Sequence, residues 1–323
     1  MIIKVIKYFF TSLISFLLIL AIGIAAIIFF DARSLVTVAV NSSSNYELQL
    51  DEPIEIAFYP VLKVHAKKIS LADTTFDTSI DFLFIDNFSF SINLKEYVTQ
   101  SRFITDITIQ KIDIQSKLRA DGRTNLDDLL NTSFNVTGHI FGDVTLTGNG
   151  LNFDLLQKNW NGHIDFKVQD GRWFGGDIWQ ELRSARSIYK REDHPVMTPL
   201  EDINLFSLKA SGPIAKSVFS NQNFAMNMPY TTIVGNGEWN IADNAFDYSI
   251  RVSLMPEIAS ELNMSDDEFQ DFTNGSIPIR VQGSSNSISF RPDIEAIFRD
   301  EVEITLEDQG DKLKKSIMRN LFK

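Results

Sequence analysis

Apolar side chains recur at every second position along most of this chain. The runs are Val36, Val38 and Val40; Ile54, Ile56 and Phe58; Phe82, Phe84, Phe88, Phe90, Ile92 and Leu94; Ile107 and Ile109; and Ile112 and Ile114. The second half continues with Val144 and Leu146; Ile164, Phe166 and Val168; Phe224, Met226 and Met228; Phe246, Tyr248, Ile250, Val252 and Leu254; and Ile277, Ile279 and Val281. Period two places each set on one face of a pleated strand, so the body reads as about fifteen amphipathic strands. Parity changes between Ile109 and Ile112, which predicts a bulge near Gln110 and Lys111 that bends the sheet. Asp86 interrupts the Phe face and predicts a bend or break there. Turn signals stand at Asp121-Gly122, Gly148-Asn149-Gly150, Asp170-Gly171, Gly212-Pro213 and Gly235-Asn236-Gly237, spaced for antiparallel hairpins.

Helical spacing is rare. Thr124 is placed to cap a helix through Leu130, with Asp127 at its third position as in a capping box. Ile178, Leu182, Ala185 and Ile188 form a helical stripe from about Asp177 to Arg191, an acidic helix is expected between Pro256 and Phe272, and a short one between Asp293 and Asp300. At the end of the chain, Leu313, Ile317, Leu321 and Phe322 share one face of a Lys-rich tail helix.

From Tyr8 to Phe30 there is no charged side chain over 23 residues. A helix of that length rises about 34 Å, enough to cross a hydrocarbon core of about 30 Å. A cleaved signal peptide is the competing reading, but no small-x-small cleavage site follows before Asp31. Lys4 and Lys7 on the leading side place the amino terminus in the cytoplasm and the remaining chain across the membrane, in the periplasm of a two-membrane bacterium. The organisation expected is an anchor over 1–30, a first β unit over 31–131, a second over 132–300 and a basic tail over 301–323.

So many amphipathic strands pose a burial problem, because the apolar face of a long sheet must meet a second sheet, a helix layer or a ligand. The helices are too few to cover it. The sheet must fold on itself, as a sandwich, a barrel or a curved groove; the first two fill with side chains, whereas a groove can leave an apolar channel for lipid tails.

Composition narrows the chemistry. The 323 residues include 26 Phe, no Cys and four scattered His, which excludes disulfides, thiolate metal sites and a Cys nucleophile and leaves a His-based metal site little support. No Walker sequence, no strand-linked Gly-x-Gly-x-x-Gly and no Gly-x-Ser-x-Gly elbow occurs. No cofactor, metal or catalytic residue is expected, and the protein does not read as an enzyme. Asp266, Asp267, Glu268 and Asp271 lack the spacing of a calcium loop and read as a solvated helix face. Net charge is −12, and seven of the 30 bases lie in the two ends, Lys4, Lys7, Lys312, Lys314, Lys315, Arg319 and Lys323. The body therefore has 23 bases against 42 acids, which argues against nucleic acid as a partner. Basic ends on an acidic body fit contact with anionic lipid, and Lys312, Lys315, Arg319 and Phe322 are the candidates for membrane or partner contact.

Specific strings resemble the AsmA family of bacterial envelope proteins. They are, in order, the single amino-terminal span, the strand-Pro-strand unit Ile56-Ala57-Phe58-Tyr59-Pro60-Val61-Leu62-Lys63-Val64, and Asp121-Gly122-Arg123-Thr124-Asn125-Leu126-Asp127-Asp128-Leu129-Leu130. In the second half, Asn161-Gly162-His163-Ile164, Gln169-Asp170-Gly171, Gly175-Gly176-Asp177-Ile178, Gly235-Asn236-Gly237-Glu238-Trp239 and Ile277-Pro278-Ile279-Arg280-Val281-Gln282-Gly283 with Phe290-Arg291-Pro292-Asp293 look like the family's closing repeat. The long middle of larger members is omitted. The resemblance implies an inner-membrane anchor, an elongated periplasmic β structure with a hydrophobic groove of the bridge-like lipid-transfer kind, and a part in phospholipid movement toward the outer membrane. Partners implied are phospholipid acyl chains, the inner membrane, and the outer membrane or other envelope proteins. Fifteen strands in one row would extend about 70 Å.

The fold expected is therefore mainly β: a transmembrane helix, then an elongated, curved antiparallel sheet forming a groove or open barrel, with a few short helices. Candidate groove-lining residues are Phe82, Phe84, Phe88, Phe90, Ile92, Leu94, Ile164, Phe166, Val168, Phe246 and Ile250. The alternative function is a structural or regulatory factor in outer-membrane protein assembly that carries no lipid.

Overall fold

The computed structural model describes residues 32–43, 45–76, 81–130, 132–174, 177–193, 205–273, 277–284 and 287–300. The expected span Tyr8–Phe30 and the tail with Lys312, Lys315, Arg319 and Phe322 lie outside them. Among the described residues no helix is long and apolar enough to cross a membrane.

Thirteen strands form one antiparallel sheet. They are β1 (Tyr46–Leu50), β2 (Glu55–Ala57), β3 (Val61–Asp73), β4 (Asp81–Asn93), β5 (Phe103–Ser116), β6 (Val136–Gly150), β7 (Trp160–Trp173), β8 (Leu205–Ala215), β9 (Val218–Met228), β10 (Thr231–Asn240), β11 (Ala245–Leu254), β12 (Ile279–Ser284) and β13 (Ser287–Pro292). β1 and β2 both pair with β3, and every later strand pairs with the next in sequence. The row from β1 to β13 has eleven steps, which at about 4.8 Å each is about 53 Å of contour. That is shorter than the expected 70 Å, because there are fewer strands and each is longer. The junction at 131/132 is no break in the sheet, since β5 pairs with β6 over nearly its whole length.

The bend foreseen at Gln110 and Lys111 crosses three strands. Against β6, Gln110 and Lys111 together oppose Asp143, and the Lys111 backbone, at φ 52°, donates its N–H to Asp143 Oδ1 at 2.9 Å. The Lys111 ammonium reaches the Asp86 carboxylate on β4, and Lys68 on β3 also has positive φ, 50°. At this line the apolar positions change parity in all three strands at once. Ile69, Ile85 and Ile112 are in register on one side of it, and Ala66, Phe88 and Ile109 on the other. The sheet thus keeps a single apolar face through the bend.

Several expected turns are strand interiors. Asp121-Gly122 does turn, with Gly122 at φ 83°, whereas Gly148-Asn149-Gly150 ends β6, Asp170-Gly171 is a bulge in β7, Gly212-Pro213 lies within β8 and Gly235-Asn236-Gly237 within β10. Here the missing Cβ serves packing across the sheet. A Cβ on Gly171 would stand 2.6 Å from the Phe206 ring, and one on Gly237 2.5 Å from the Tyr248 ring, so both rings lie on bare backbone.

Eight helices occur in the described residues, at two rims of the sheet. α1 (Ala32–Ser43) was expected as a strand from Val36, Val38 and Val40. It is a helix because no neighbouring strand covers Val36 and Val38, which are exposed, while the i,i+4 partner Val40 packs on the first core cluster and Asn41 caps the Leu48 N–H at 2.7 Å. α2 (Leu94–Gln100) and α4 (Phe153–Gln157) stand at one rim. At the opposite rim are α3 (Asn125–Leu130), α5 (Ile178–Lys190), α6 (Pro256–Glu261), α7 (Asp266–Thr273) and α8, residues 294–300. The single acidic helix expected between Pro256 and Phe272 is thus two, parted at Asn263, whose φ is 49°.

Candidate functional site

Register carries the apolar face across the whole sheet. One row runs Leu71, Leu83, Ile114, Ile140, Val168, Leu208, Met226, Ile233 and Val252, an unbroken apolar line over β3 to β11. A second runs Val64, Phe90, Ile107, Leu146, Gly162, Ile214, Phe219, Trp239, Phe246, Gly283 and Ile288, from β3 to β13. Neither row contains a polar side chain. The other face of the same strands presents Asp106, Thr145, His163, Asp165, Lys167 and Lys209 to solvent.

In the carboxyl half the sheet curls until its ends meet. Trp173 at the end of β7 reaches Phe290 on β13, ring centroids 6.3 Å apart, although five strands lie between them in the sheet order. Among the described residues β13 has no strand on its outer side, so the curl is an unclosed trough rather than a barrel. Inside it is a cavity of about 410 Å³, with a wall of apolar and aromatic side chains from β6 to β13 and α5. Phe166, Val168, Phe206, Phe224, Met226 and Ile233 form one side, and Phe246, Tyr248, Ile250, Val281, Ile288 and Phe290 the other. Burial pushes the Tyr248 hydroxyl up to about 12. Trp239 on the wall brings a buried Nε1–H that has no hydrogen-bond partner.

Three helices seal one end of the trough. Trp179, Leu182 and Ala185 of α5 pack with Ile258 of α6, Phe272 of α7 and the strand residues Val252 and Leu254. The packing is clamped by Arg183 to Glu268 and by Arg186 to Asp271 and Glu192, while Lys190 also reaches Asp271 at 2.9 Å. The acidic residues of α7 read from sequence as a solvated face therefore divide: Glu268 is buried in an ion pair and Asp271 half-buried in another. Among the described residues no three His, Asp or Glu side chains group as metal ligands.

The sequence-predicted lining residues separate into four sets. Phe166, Val168, Phe246 and Ile250 meet at the cavity wall. Ile164 lies on the same face beyond the wall, packed with Ile214 and Phe219, and Phe88, Phe90 and Ile92 continue that face, half-buried, in the amino half. Phe82 is buried in the closed amino-terminal core, stacked on Tyr46 at 5.8 Å. Phe84 and Leu94 are displaced from the expected face. The bend turns Phe84 to the polar side, between Ser70 and Asp113, and Leu94 begins α2. Sequence reading missed Phe134, Trp173, Phe206, Phe219 and Trp239, which join the wall at or near strand ends where period two gives little signal. Phe224, Met226, Tyr248 and Val281, read as alternating but not named as lining, also reach the wall, and Ile288 and Phe290 carried an alternation that could have been read.

The Asp121–Leu130 string forms a buried latch between β5 and β6. Asn125 Oδ1 accepts the N–H groups of Lys117 and Leu126, each at 2.9 Å, and its Nδ2 donates to the Gln115 carbonyl. Asp127 accepts from Thr124 Oγ1 at 2.6 Å, Thr132 Oγ1 at 2.8 Å, Phe134 N–H at 2.8 Å and Asn135 N–H at 2.9 Å. Beside them the Arg119 guanidinium joins Asp73, Asp128 and the Tyr46 hydroxyl. Its hydrogen bond holds the Asp128 carboxyl below the usual range, and burial pushes the Tyr46 hydroxyl up to about 12. Thr124, Asn125 and Asp127 turn their polar groups into the fold while Asp121 and Arg123 stay exposed, so the buried part of the string serves to join strands.

This latch closes at Asn135, and the model of the AsmA family matches residues 3–135. Over that stretch the chain is similar to the AsmA family. AsmA proteins are generally envelope-associated, and the open curved sheet is compatible with lipid-transport or other envelope roles. The trough from β6 onward lies beyond the matched residues and continues the AsmA sheet through the β5–β6 ladder. No curated protein and no solved structure matches the chain.

Proposed function

We propose that this protein shelters phospholipid acyl chains on the apolar face of its sheet and takes part in phospholipid transport between the inner and outer membranes. In this reading Tyr8–Phe30 anchors it in the inner membrane with the amino terminus in the cytoplasm, and the sheet stands in the periplasm. The observation that carries the reading is the eleven-strand row without a polar side chain that opens into the 410 Å³ apolar cavity. A face of that extent costs free energy in water, and acyl chains are a non-directional partner for it. Each buried methylene contributes about 0.8 kcal/mol, so the wall discriminates chain length better than head group. The Trp239 Nε1–H is available to an ester oxygen at the same wall.

Photo-crosslinkable residues at Phe166 and Phe246, in the full chain expressed in a two-membrane bacterium, should capture lipid, and one at Phe84 on the polar face should not. Equal labelling at all three, or none at Phe166 and Phe246, would sink the groove and favour the alternative of a contact factor in outer-membrane protein assembly.

A further inference from the structure

The rim that carries α2 and α4 exposes large apolar side chains in one continuous strip. Val98 is 79% exposed, Tyr59 77%, Leu151 64% and Phe153 64%, with Tyr97 and Leu155 beside them. Hydrogen bonds join the pieces into one lip. Lys95 N–H donates to the Pro60 carbonyl, Arg102 Nη2 donates to Asn149 Oδ1 at 3.1 Å, Phe103 pairs with Gly150, and Ser217 Oγ donates to the Gln157 carbonyl. The Tyr97 ring lies 4.8 Å from that of Phe103. Underneath, Leu156 is buried against Gly148 and Gly150 on the apolar face, so the lip borders the groove directly.

We propose that this lip docks on the surface of a phospholipid bilayer. Its chemistry is that of an interfacial element, with Tyr and Phe tips and aliphatic neighbours flanked by cations. Lys95, Arg102 and Lys158 stand there against Glu96 and Asp154, a local excess of bases on a chain with 42 acids and 30 bases. The 23-residue uncharged stretch that ends at Phe30, two residues before α1, would in the anchor reading tether the sheet to a bilayer; α1 itself packs on β1 beside the Ile69–Asp73 end of β3, so the lip meets that bilayer from the other ends of the same strands. Docking there brings the amino end of the apolar face against the lipid from which acyl chains would enter. The proposal goes beyond the acyl-groove reading and stands or falls separately from it.

The chain has no Cys, so single cysteines can be labelled directly. Full-length protein carrying an environment-sensitive fluorophore at Val98→Cys or Phe153→Cys is reconstituted into vesicles of phosphatidylethanolamine and phosphatidylglycerol. Controls carry the label at Thr145→Cys or Lys167→Cys on the polar face. The lip labels should shift to the blue, lose accessibility to an aqueous quencher and gain quenching from bilayer-embedded quenchers, while the controls do not. Lip labels as water-accessible as the controls would overturn the proposal, as would shielding that persists in detergent without bilayer. The double variant Val98→Asp with Phe153→Asp, labelled at Leu151→Cys, should lose the blue shift. Lipid bound to the singly labelled proteins, measured in parallel, reports on the groove alone, so a water-accessible lip with a filled groove refutes only the lip.

Discussion

Replacing Asp127 should release the seam between β5 and β6 far more than a surface aspartate would. Its two carboxyl oxygens accept four hydrogen bonds, from Thr124, Thr132, Phe134 and Asn135, and its side chain is almost wholly buried. In Asp127→Ala the backbone N–H groups of Phe134 and Asn135 lose their acceptor, at about 1–3 kcal/mol each, and two hydroxyls lose bonds of about 1 kcal/mol. Both residues are half-buried, so water recovers part of the loss, and about 4 kcal/mol remains. At 1.4 kcal/mol per tenfold that is about a thousandfold loss of protection. Asp127→Asn keeps one acceptor oxygen and two of the four bonds, and should lose about 2 kcal/mol, about thirtyfold. Hydrogen–deuterium exchange of peptides over 114–141, read by mass spectrometry on the full chain, measures this, with peptides from β8 to β11 as internal controls. Unchanged exchange at 114–141 in the Ala variant, or an equal rise in β8 to β11, would refute a local latch.

Phe246→Asp places a carboxyl at the cavity wall between Trp239 and Gly283; losing contact with three methylenes weakens acyl binding by about 2.4 kcal/mol, about fiftyfold, and lipid retained through purification should fall while Phe246→Leu retains it. Gly237→Val should destabilise the trough by displacing the Tyr248 ring and the Asp247 carbonyl, which lie 2.5 and 2.4 Å from a Cβ there, and its thermal unfolding should come at lower temperature than that of Gly122→Ala, which meets nothing within 4 Å and bears only the backbone strain of φ 83°. Tyr46 and Tyr248 have folded pKa values of about 12. Raised values mean that their contribution is whole below the unfolded value near 10 and is lost as pH rises through about 12, so phenolate absorbance should show two tyrosines titrating late, one of them absent in Tyr248→Phe. Asp128 and Asp247 are held low by hydrogen bonds from Arg119 and Arg280. Their contribution is present above the unfolded aspartate value near 3.9 and fades as pH falls through the lower folded values, which acid titration of near-ultraviolet circular dichroism would follow.

Alternation revealed most of the sheet because period two survives wherever a strand is regular. The bulge at Gln110 and Lys111 was legible for the same reason, since a change of parity is visible in the letters. What the letters did not carry was which face a residue takes beyond a bend. Phe84 and Phe88 share parity, yet the Lys68–Lys111 line puts them on opposite faces. Glycines misled in the other direction. Gly212-Pro213 and Gly235-Asn236-Gly237 have turn composition, but long curled strands use those positions to admit a neighbouring backbone or ring, a demand set by residues far away in sequence. Helix α1 was hidden because β-branched Val36, Val38 and Val40 mimic a strand where no partner strand exists. At the site, the four wall residues foreseen lie on regular strands, whereas Trp173 and Phe290 meet only through the curl.

The central claim is that the apolar face holds lipid. Native mass spectrometry of the full chain, extracted in mild detergent from the cells that make it, tests it most directly. Phospholipid should be retained in wild type and Phe84→Asp, and should be lost in Phe246→Asp. A lipid-free wild-type protein, or the same lipid content in Phe246→Asp, would contradict it.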